Sequence, residues 1–277
     1  MTTTFDWTGR VGDVWADEWQ RTDRSLAGLA RQLDAAILAA APEEGSAIDI
    51  GCGAGGTSIA LAAARPRLSI TGIDLSPSLV AVARSRAAGI ANLVFRVADA
   101  QRISGAGGAD LLFSRHGVMF FDDPVAGFSA LRSAARPGAR LVFSCFRPRT
   151  RNEWALVTDA AVGNEPPPPS GYAPGPYGLA DPDLTRDVLA RAGWTGVAAH
   201  AADFTYVAGE GEDPVEDALG FFSRIGSAAR AMADAPPGRR EAMRDALRAA
   251  LAAHVRNGAV AFRAGAWIWT ATAGEVA

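Results

Sequence analysis

Residues 49–56, Asp-Ile-Gly-Cys-Gly-Ala-Gly-Gly, lie between a short apolar run and an alanine- and leucine-rich segment. The run at residues 47–50 predicts a buried strand, and residues 57–64 predict a helix. Glycine adopts positive φ without strain and lets a ligand approach the backbone closely. The turn therefore predicts a ligand site beyond the carboxyl end of the first strand, where open α/β sheets bind their ligands.

The same alternation of strand and helix continues along the chain. Apolar runs predict four more strands, at residues 68–73, 93–97, 110–114 and 140–146. Ser76-Pro77 predicts the start of a helix, since a capping hydroxyl precedes proline at the first helical position. Such alternation implies parallel pairing, so the sequence predicts an α/β fold with a Rossmann-like, doubly wound, mostly parallel sheet.

The segments before and after this core are predicted to cover it. In residues 1–45, apolar side chains recur at helical spacing (Leu26, Leu29, Leu33 and Ile37), which predicts a helical N-terminal cover. Residues 147–180 contain the run PPPPSGYAPGP, which is incompatible with a helix or a central strand. We interpret that segment as a proline-rich lid loop in preference to an interdomain linker.

The last part of the chain, residues 181–277, predicts two C-terminal strands with helices inserted between them at 214–256. The strands are placed at 194–207 and 259–273, and the inserted helices at 214–233 and 239–256. The whole chain, residues 1–277, is thus predicted to form one domain whose ligand-binding core is residues 46–146.

Three acidic residues narrow the choice of ligand. Asp74 ends the second predicted strand, where a carboxylate would accept hydrogen bonds from both ribose hydroxyls, and Asp99 follows the third, where it would accept from an adenine amino group. Asp49 lies on the strand side of the glycine turn. A carboxylate there repels the pyrophosphate of a dinucleotide but attracts the ammonium and sulfonium groups of S-adenosylmethionine. The sequence therefore favours S-adenosylmethionine.

The motifs DIGCGAGG, GIDLS, VADA and LLFSRHGVMFFDDP follow in the order and spacing of class I S-adenosylmethionine-dependent methyltransferases, and residues 46–146 resemble that family. The flanking segments RTDRS, FSCFRPR and NEW are similar to a bacterial small-molecule subgroup. The resemblance implies a seven-stranded sheet whose last strand runs antiparallel. It also implies S-adenosyl-L-methionine as cofactor and methyl transfer to an O, N or C nucleophile of a small-molecule metabolite.

Carried over by position, the resemblance also implies which residues contact the cofactor. The methionine part would meet Asp49, Gly51 and Gly53, and the ribose would meet Asp74. The adenine would meet Leu75, Asp99 and Ala100, and Ser114 would lie near the sulfonium. Cys52, between the two glycines, is a further candidate cofactor contact.

His116 is the candidate general base, because the end of the fourth strand is where a nucleophile would be aligned behind the methyl group. A histidine that merely packs under the lid is the alternative. Arg115 would neutralise an anionic substrate, although a structural ion pair is the simpler expectation.

Aromatic residues outside the core are further candidates. Trp15 and Trp19, four residues apart, share one helix face and would either pack that helix onto the domain or close it over the cofactor, with a ring near the cationic sulfur. Tyr172, Tyr177 and Trp154 are candidate substrate contacts. Trp267 and Trp269 are expected in the core, since alternate strand residues share a face.

Composition excludes several classes of function. The 277 residues include 27 cationic side chains, all arginine, so Schiff-base and P-loop chemistry, which need lysine, are excluded. The net charge of −3 argues against a nucleic-acid partner. Cys52 and Cys145 are expected as reduced core thiols, and the three histidines are too far apart in sequence for a metal site.

The sequence shows neither a signal peptide pattern nor an apolar run of membrane-spanning length, so we expect a cytoplasmic protein without a membrane partner, as a monomer or homodimer. Two alternatives to a methyltransferase stay open at this point. One is a nicotinamide-dependent oxidoreductase, and the other is a non-catalytic protein that binds S-adenosylmethionine.

Overall fold

The computed structural model describes residues 7–103, 108–167 and 171–274, and at its centre is a sheet of eight strands. Their order across the sheet is β3-β2-β1-β4-β5-β8-β6, and β7 pairs with β8. In chain order the strands are β1 (Glu44–Ile50), β2 (Arg67–Asp74), β3 (Leu93–Val97), β4 (Ala109–Arg115), β5 (Ala135–Phe146), β6 (Trp194–Gly209), β7 (Val255–Arg256) and β8 (Ala259–Ala273).

Strands β1 to β5 pair in parallel, whereas β8 runs antiparallel to both of its neighbours, β5 and β6. This confirms the predicted Rossmann-like, mostly parallel sheet with an antiparallel last strand. The short β7 is an addition that the sequence pattern did not predict.

The order of strands reverses between β1 and β4, since β1 leads outward to β2 on one side and β4 leads to β5 on the other. Consecutive residues of β4, namely Leu111, Leu112 and Phe113, are fully buried on both faces of the sheet. Helices on both faces cause this burial, which is typical of parallel strands. The carboxyl ends of β1 and β4 therefore border a crevice at the switch point.

Eleven helices of at least seven residues are seen in the described part of the chain. They are α1 (Arg10–Asp17), α2 (Trp19–Ser25), α3 (Ala27–Ala40), α4 (Gly56–Ala64), α5 (Pro77–Arg86), α6 (Pro124–Ala134), α7 (Glu153–Ala161), α8 (Pro182–Arg191), α9 (Pro214–Phe222), α10 (Gly226–Asp234) and α11 (Pro237–Ala252).

The N-terminal helices cover one end of the sheet. In α3, the residues Leu29, Leu33 and Ile37 are buried, which confirms the helical pattern predicted for this segment. Helix α5 begins as predicted at Ser76, whose hydroxyl accepts a hydrogen bond from the Leu79 amide at 3.2 Å. Helix α1 packs against this cap so closely that a Cβ on Gly12 would lie 2.4 Å from Ser76 Oγ.

The C-terminal half differs from the sequence prediction in two places. The segment 147–180 holds a helix, α7, because the proline-rich run follows Glu153–Ala161 and does not interrupt that helix. Of the proline-rich run, residues 168–170 lie outside the described residues. Residues 214–256 form three helices and not two. The first break falls at Ile225 and Gly226, where Gly226 has φ +91°, and the second at Pro236-Pro237.

Strand β8 completes the core as expected. Trp269 is fully buried and Trp267 is half-buried, with ring centroids 6.4 Å apart on one face of the strand. Within the described residues, no helix has the length and apolar character needed to cross a membrane.

Candidate functional site

The glycine turn lies at the crevice between β1 and β4. Gly51 and Gly53 adopt left-handed backbone conformations, with φ +62° and +53°. A Cβ on Gly51 would lie 2.9 Å from the Gly117 Cα, so only glycine allows the loops after β1 and β4 to meet there. At Gly53 a Cβ would meet nothing within 4 Å. This part of the turn is therefore free to receive a ligand against its backbone.

Asp49 supplies negative charge beneath the turn. Its side chain is buried, and its Oδ2 accepts a hydrogen bond from the Ser58 hydroxyl at 2.6 Å. Its Oδ1 has no hydrogen-bond partner in the protein. Burial raises the pKa of Asp49 to about 7, although Ser58 and the Arg115 guanidinium act in the opposite direction. An unpaired carboxylate oxygen in the wall of the crevice fits the ammonium group of a methionine moiety.

Asp74 ties the turn to the end of β2. Its two oxygens accept hydrogen bonds from the backbone amides of Gly53, at 2.8 Å, and Ser76, at 2.9 Å. Burial raises the pKa of Asp74, opposed by these backbone hydrogen bonds. Each carboxylate oxygen has a second lone pair, which leaves Asp74 able to accept from ribose hydroxyls. Leu75, the next residue, also lines the crevice.

Asp99 and Ala100 form the far wall, at the end of β3. Asp99 Oδ1 accepts a hydrogen bond from the Gln101 amide at 2.9 Å and caps a short 3₁₀ turn that begins at Ala100. Both residues line the same crevice as Asp49 and Asp74. The structure therefore brings the three predicted acids to one edge of the sheet.

The N-terminal helices close over this crevice. Trp15 and Trp19 both line it, and the Arg86 guanidinium lies 3.9 Å from the Trp19 ring centroid. Asp23 binds two arginines at once, Arg86 at 2.8 Å and Arg115 at 2.6 Å. Arg115 is thus in the structural ion pair expected for it. This bridge fastens helix α2 to α5 and to the end of β4.

His116 lies directly beyond β4 in a left-handed conformation, φ +65°, which is unusual for a residue with a Cβ. Its Nδ1 lies 2.8 Å from Ser144 Oγ, whereas its buried Nε2 has no hydrogen-bond partner. Burial lowers the pKa of His116 to about 3, and the nearby Arg115 adds to this shift. The imidazole is therefore neutral at physiological pH. Strained residues of this kind cluster at functional sites.

Of two further predicted cofactor residues, Ser114 and Cys52, only Cys52 lines the crevice. Ser114 is fully buried behind the crevice, where its hydroxyl donates to the Ile50 carbonyl at 2.6 Å and accepts from the Gly117 amide at 3.1 Å. It braces the two loops and does not line the crevice. Cys52 does line the crevice, and both Cys52 and Cys145 are buried and form no disulfide.

Beyond His116 the crevice continues into a region lined by aromatic rings, which forms the aromatic end, or aromatic chamber, of the cleft. Phe146 packs edge-on to the His116 ring, with centroids 4.2 Å apart, and contacts Trp154 at 5.6 Å. Trp154, Tyr206 and Phe222 lie nearly parallel, with interplanar angles of 12° to 17°. The cavity of the whole cleft has a volume of about 230 Å³.

Of the predicted substrate contacts, Trp154 lines this end, but two tyrosines do not. The Tyr172 hydroxyl donates to the Phe121 carbonyl and anchors its loop, and Tyr177 packs behind Phe146. Sequence reasoning missed Tyr206 and Phe222, because apolar residues on β6 and α9 resemble ordinary core until the fold brings them to the cleft.

Comparisons with known proteins agree with this geometry. Residues 43–166 match a family model described as a methyltransferase domain. Over 128 residues the chain is 30% identical to the malonyl-[acyl-carrier protein] O-methyltransferase of Hahella chejuensis, covering 45% of this chain and 46% of that protein. Over 162 residues it is 30% identical to the trans-aconitate 2-methyltransferase of Methylobacterium nodulans, covering 58% and 57%. The chain thus spans about half the length of these curated relatives.

Among solved structures, the fold resembles phosphoethanolamine N-methyltransferase 2 of Haemonchus contortus in complex with S-adenosyl-L-methionine, with a TM-score of 0.56 and 16% identity, covering 99% of this chain and 61% of that one. The sheet order is that of the Rossmann-like fold, which this chain shares with that solved structure. The similarity in sequence to methyltransferases thus lies in the part of the chain that forms the first five strands of the sheet, and it extends to two named methyltransferases that act on small acids or on an acyl carrier.

Replacing Asp49 by asparagine tests its place in the cofactor site. We expect Asp49→Asn to weaken binding of S-adenosylhomocysteine by roughly tenfold or more, since an ammonium loses its charged partner. In the wild type, affinity should fall as pH drops below about 7, because the proton then held by Asp49 must leave before the ion pair forms. Calorimetric titration from pH 8 to pH 6 measures both effects.

Asp49→Asn should lose this pH dependence while still accepting the Ser58 hydrogen bond. The matched control is Glu44→Gln, which removes an exposed carboxylate from the start of the same strand. Equal affinity and an unchanged pH profile in Asp49→Asn would show that Asp49 does not meet the ammonium.

Gly12→Ala tests the cover formed by α1. A Cβ there would lie 2.3 Å from the Trp7 carbonyl oxygen and 2.4 Å from Ser76 Oγ, so α1 must move away from α5. We expect S-adenosylhomocysteine affinity to fall by about tenfold, because Trp15 moves with its helix. The control Gly238→Ala adds a methyl group at the start of α11, where nothing lies within 4 Å. If Gly12→Ala binds the ligand as tightly as Gly238→Ala, the cover takes no part in cofactor binding.

Proposed function

We propose that this protein transfers the methyl group of S-adenosyl-L-methionine to an O, N or C nucleophile of a small molecule held at the aromatic end of the cleft. One observation carries the proposal. A single cleft joins the glycine turn and its three acids to an aromatic chamber, and His116 lies between them. Transfer needs a donor site and an acceptor site that share one cavity.

The residues present fit the cofactor. Asp49 offers an unpaired carboxylate oxygen, and the open face of Gly53 gives room beside it. We assign the cofactor to the crevice with these contacts: Asp49, Gly51, Cys52 and Gly53 for the methionine part, Asp74 for the ribose, Leu75, Asp99 and Ala100 for the adenine, and Trp15 and Trp19 as the cover.

When bound, S-adenosyl-L-methionine would supply an electrophilic methyl group on sulfur, whose C–S electron pair would stay with sulfur while an electron pair of the acceptor forms the new bond. His116 would take the proton of a hydroxyl or amine acceptor at Nε2, with Nδ1–H donating to Ser144 Oγ. Its low pKa leaves this nitrogen unprotonated at every working pH. A weak base suffices, because the acceptor O–H becomes strongly acidic as positive charge develops on oxygen.

A direct assay tests the activity. The protein is incubated with S-adenosyl-L-methionine that carries a trideuterated methyl group and with a panel of small phenols, alcohols, amines and carboxylic acids. We expect at least one compound to gain the labelled methyl group, detected by mass spectrometry. A protein that binds S-adenosylhomocysteine yet methylates nothing in the panel or in a bacterial metabolite extract would favour the non-catalytic alternative.

His116→Gly tests the base without straining the backbone, because glycine adopts φ +65° freely whereas alanine does not. For a hydroxyl or amine acceptor we expect kcat to fall by about 10²- to 10⁴-fold, with S-adenosylhomocysteine affinity unchanged. In the wild type, kcat at saturating cofactor should show no ionisation near pH 6.5, the ordinary value for histidine, because burial has moved the pKa of His116 to about 3.

Asn257→Gly is the matched control, since Asn257 is the other described non-glycine residue with positive φ, at +50°, and does not line the cleft. Wild-type kcat in His116→Gly would exclude the base role and leave His116 as a packing residue.

A further inference from the structure

We propose that the methyl acceptor is a ring-containing molecule without a negative charge that stacks against the wall formed by Trp154, Tyr206 and Phe222 at the aromatic end of the cleft. This inference rests on the proposed function and adds the chemical class of the substrate. It follows from the shape, the charge and the unpaired polar atoms of that chamber.

The shape is set by flat surfaces. The Trp154 ring lies 5.1 Å from the Tyr206 ring at 17° and 6.3 Å from the Phe222 ring at 12°. Three rings in nearly parallel orientation present faces to which a planar ligand binds by offset stacking. Phe146 connects this wall to His116, so a molecule stacked there would have one edge beside the imidazole.

The chamber has no cation to offer an anionic acceptor. Among the described residues that line the cleft, Arg115 is the one arginine, and its guanidinium is committed to Asp23 at 2.6 Å. The charged groups of the lining otherwise are carboxylates at the cofactor end. Burying a carboxylate or phosphate beside aromatic rings without a partner is strongly unfavourable. The acceptor is therefore not an anion.

Two unpaired polar atoms indicate which hydrogen-bonding groups the acceptor carries. His116 Nε2 and Trp154 Nε1 are buried without a hydrogen-bond partner, and both side chains line the cleft. Buried polar groups are nearly always paired, so these two are the groups that an incoming molecule would satisfy. Indole Nε1–H only donates. The acceptor thus presents a hydroxyl or amine proton to His116 and an oxygen or nitrogen lone pair to Trp154.

Matched probes test this assignment. We would titrate the protein, loaded with S-adenosylhomocysteine, with phenol, 2-naphthol and 2-naphthoic acid in a calorimeter. Phenol and 2-naphthol are neutral at pH 7. 2-Naphthoic acid has the same naphthalene ring as 2-naphthol, but its carboxyl group is negatively charged at this pH. We expect 2-naphthol to bind at least tenfold more tightly than 2-naphthoate. Equal or tighter binding of the acid, or no binding of either phenol, would overturn the proposal.

Trp154→Phe retains an aromatic ring but removes the indole N–H. We expect 2-naphthol affinity to fall by about tenfold, which is the effect of one buried hydrogen bond, with S-adenosylhomocysteine affinity unchanged. Trp267→Phe is the matched control, because Trp267 lies outside the cleft and its Nε1 donates to the Ala180 carbonyl at 3.0 Å. If both variants changed the affinity for 2-naphthol equally, the naphthol ring would not bind beside Trp154.

The outcomes separate the two proposals. Tight 2-naphthol binding without methyl transfer to any acceptor would support the aromatic chamber and contradict the proposed function. Methyl transfer to an anionic acceptor, with no binding of the phenols, would support the function and overturn the assignment of substrate class.

Discussion

An unpaired carboxylate oxygen lies inside this protein, at the end of β1. Asp49 keeps one oxygen on Ser58 and leaves the other without a partner, in surroundings that raise its pKa to about 7. Such a group destabilises the free protein as pH rises from about 4 to 7, because in this range the unfolded chain releases its Asp49 proton while the folded state still holds it. A cationic ligand reverses this penalty, so the interaction that the fold lacks is the one that its cofactor would provide.

The rest of the molecule maintains the geometry around that carboxylate. Gly51 lets the loop after β1 touch the loop after β4, and Ser114 binds both loops from behind. The bridge from Asp23 to Arg86 and Arg115 then holds the N-terminal helices across the opening. It also uses the positive charge of Arg115, and the substrate end of the cleft is left neutral as a consequence. In the proposed function, the cofactor cover and the substrate selectivity would therefore depend on the same ion pairs.

The sequence predicted most of the sheet because its signals are local. Strand β3 and strand β8 were placed at their observed bounds, and Asp49, Asp74 and Asp99 line one cleft because the ends of parallel strands share an edge. The aromatic chamber was largely missed. Tyr206 and Phe222 lie on β6 and α9, and only tertiary packing brings them beside Trp154. The prolines near residue 167 likewise obscured α7, whose own residues, 153–161, are ordinary helix formers.

His116 links the two halves of the cleft and shows how strain and function are connected. A left-handed conformation at a residue with a Cβ is unfavourable, and burial of an unpaired imidazole nitrogen is unfavourable as well. Glycine would relieve both at this position. The side chain nevertheless packs edge-on against the ring of Phe146, which in the proposed function places it between the cofactor and the acceptor. The unpaired Nε2 would be satisfied when an acceptor donates a hydrogen bond to it, so in the proposed function one contact would both bind the substrate and align it with the methyl donor.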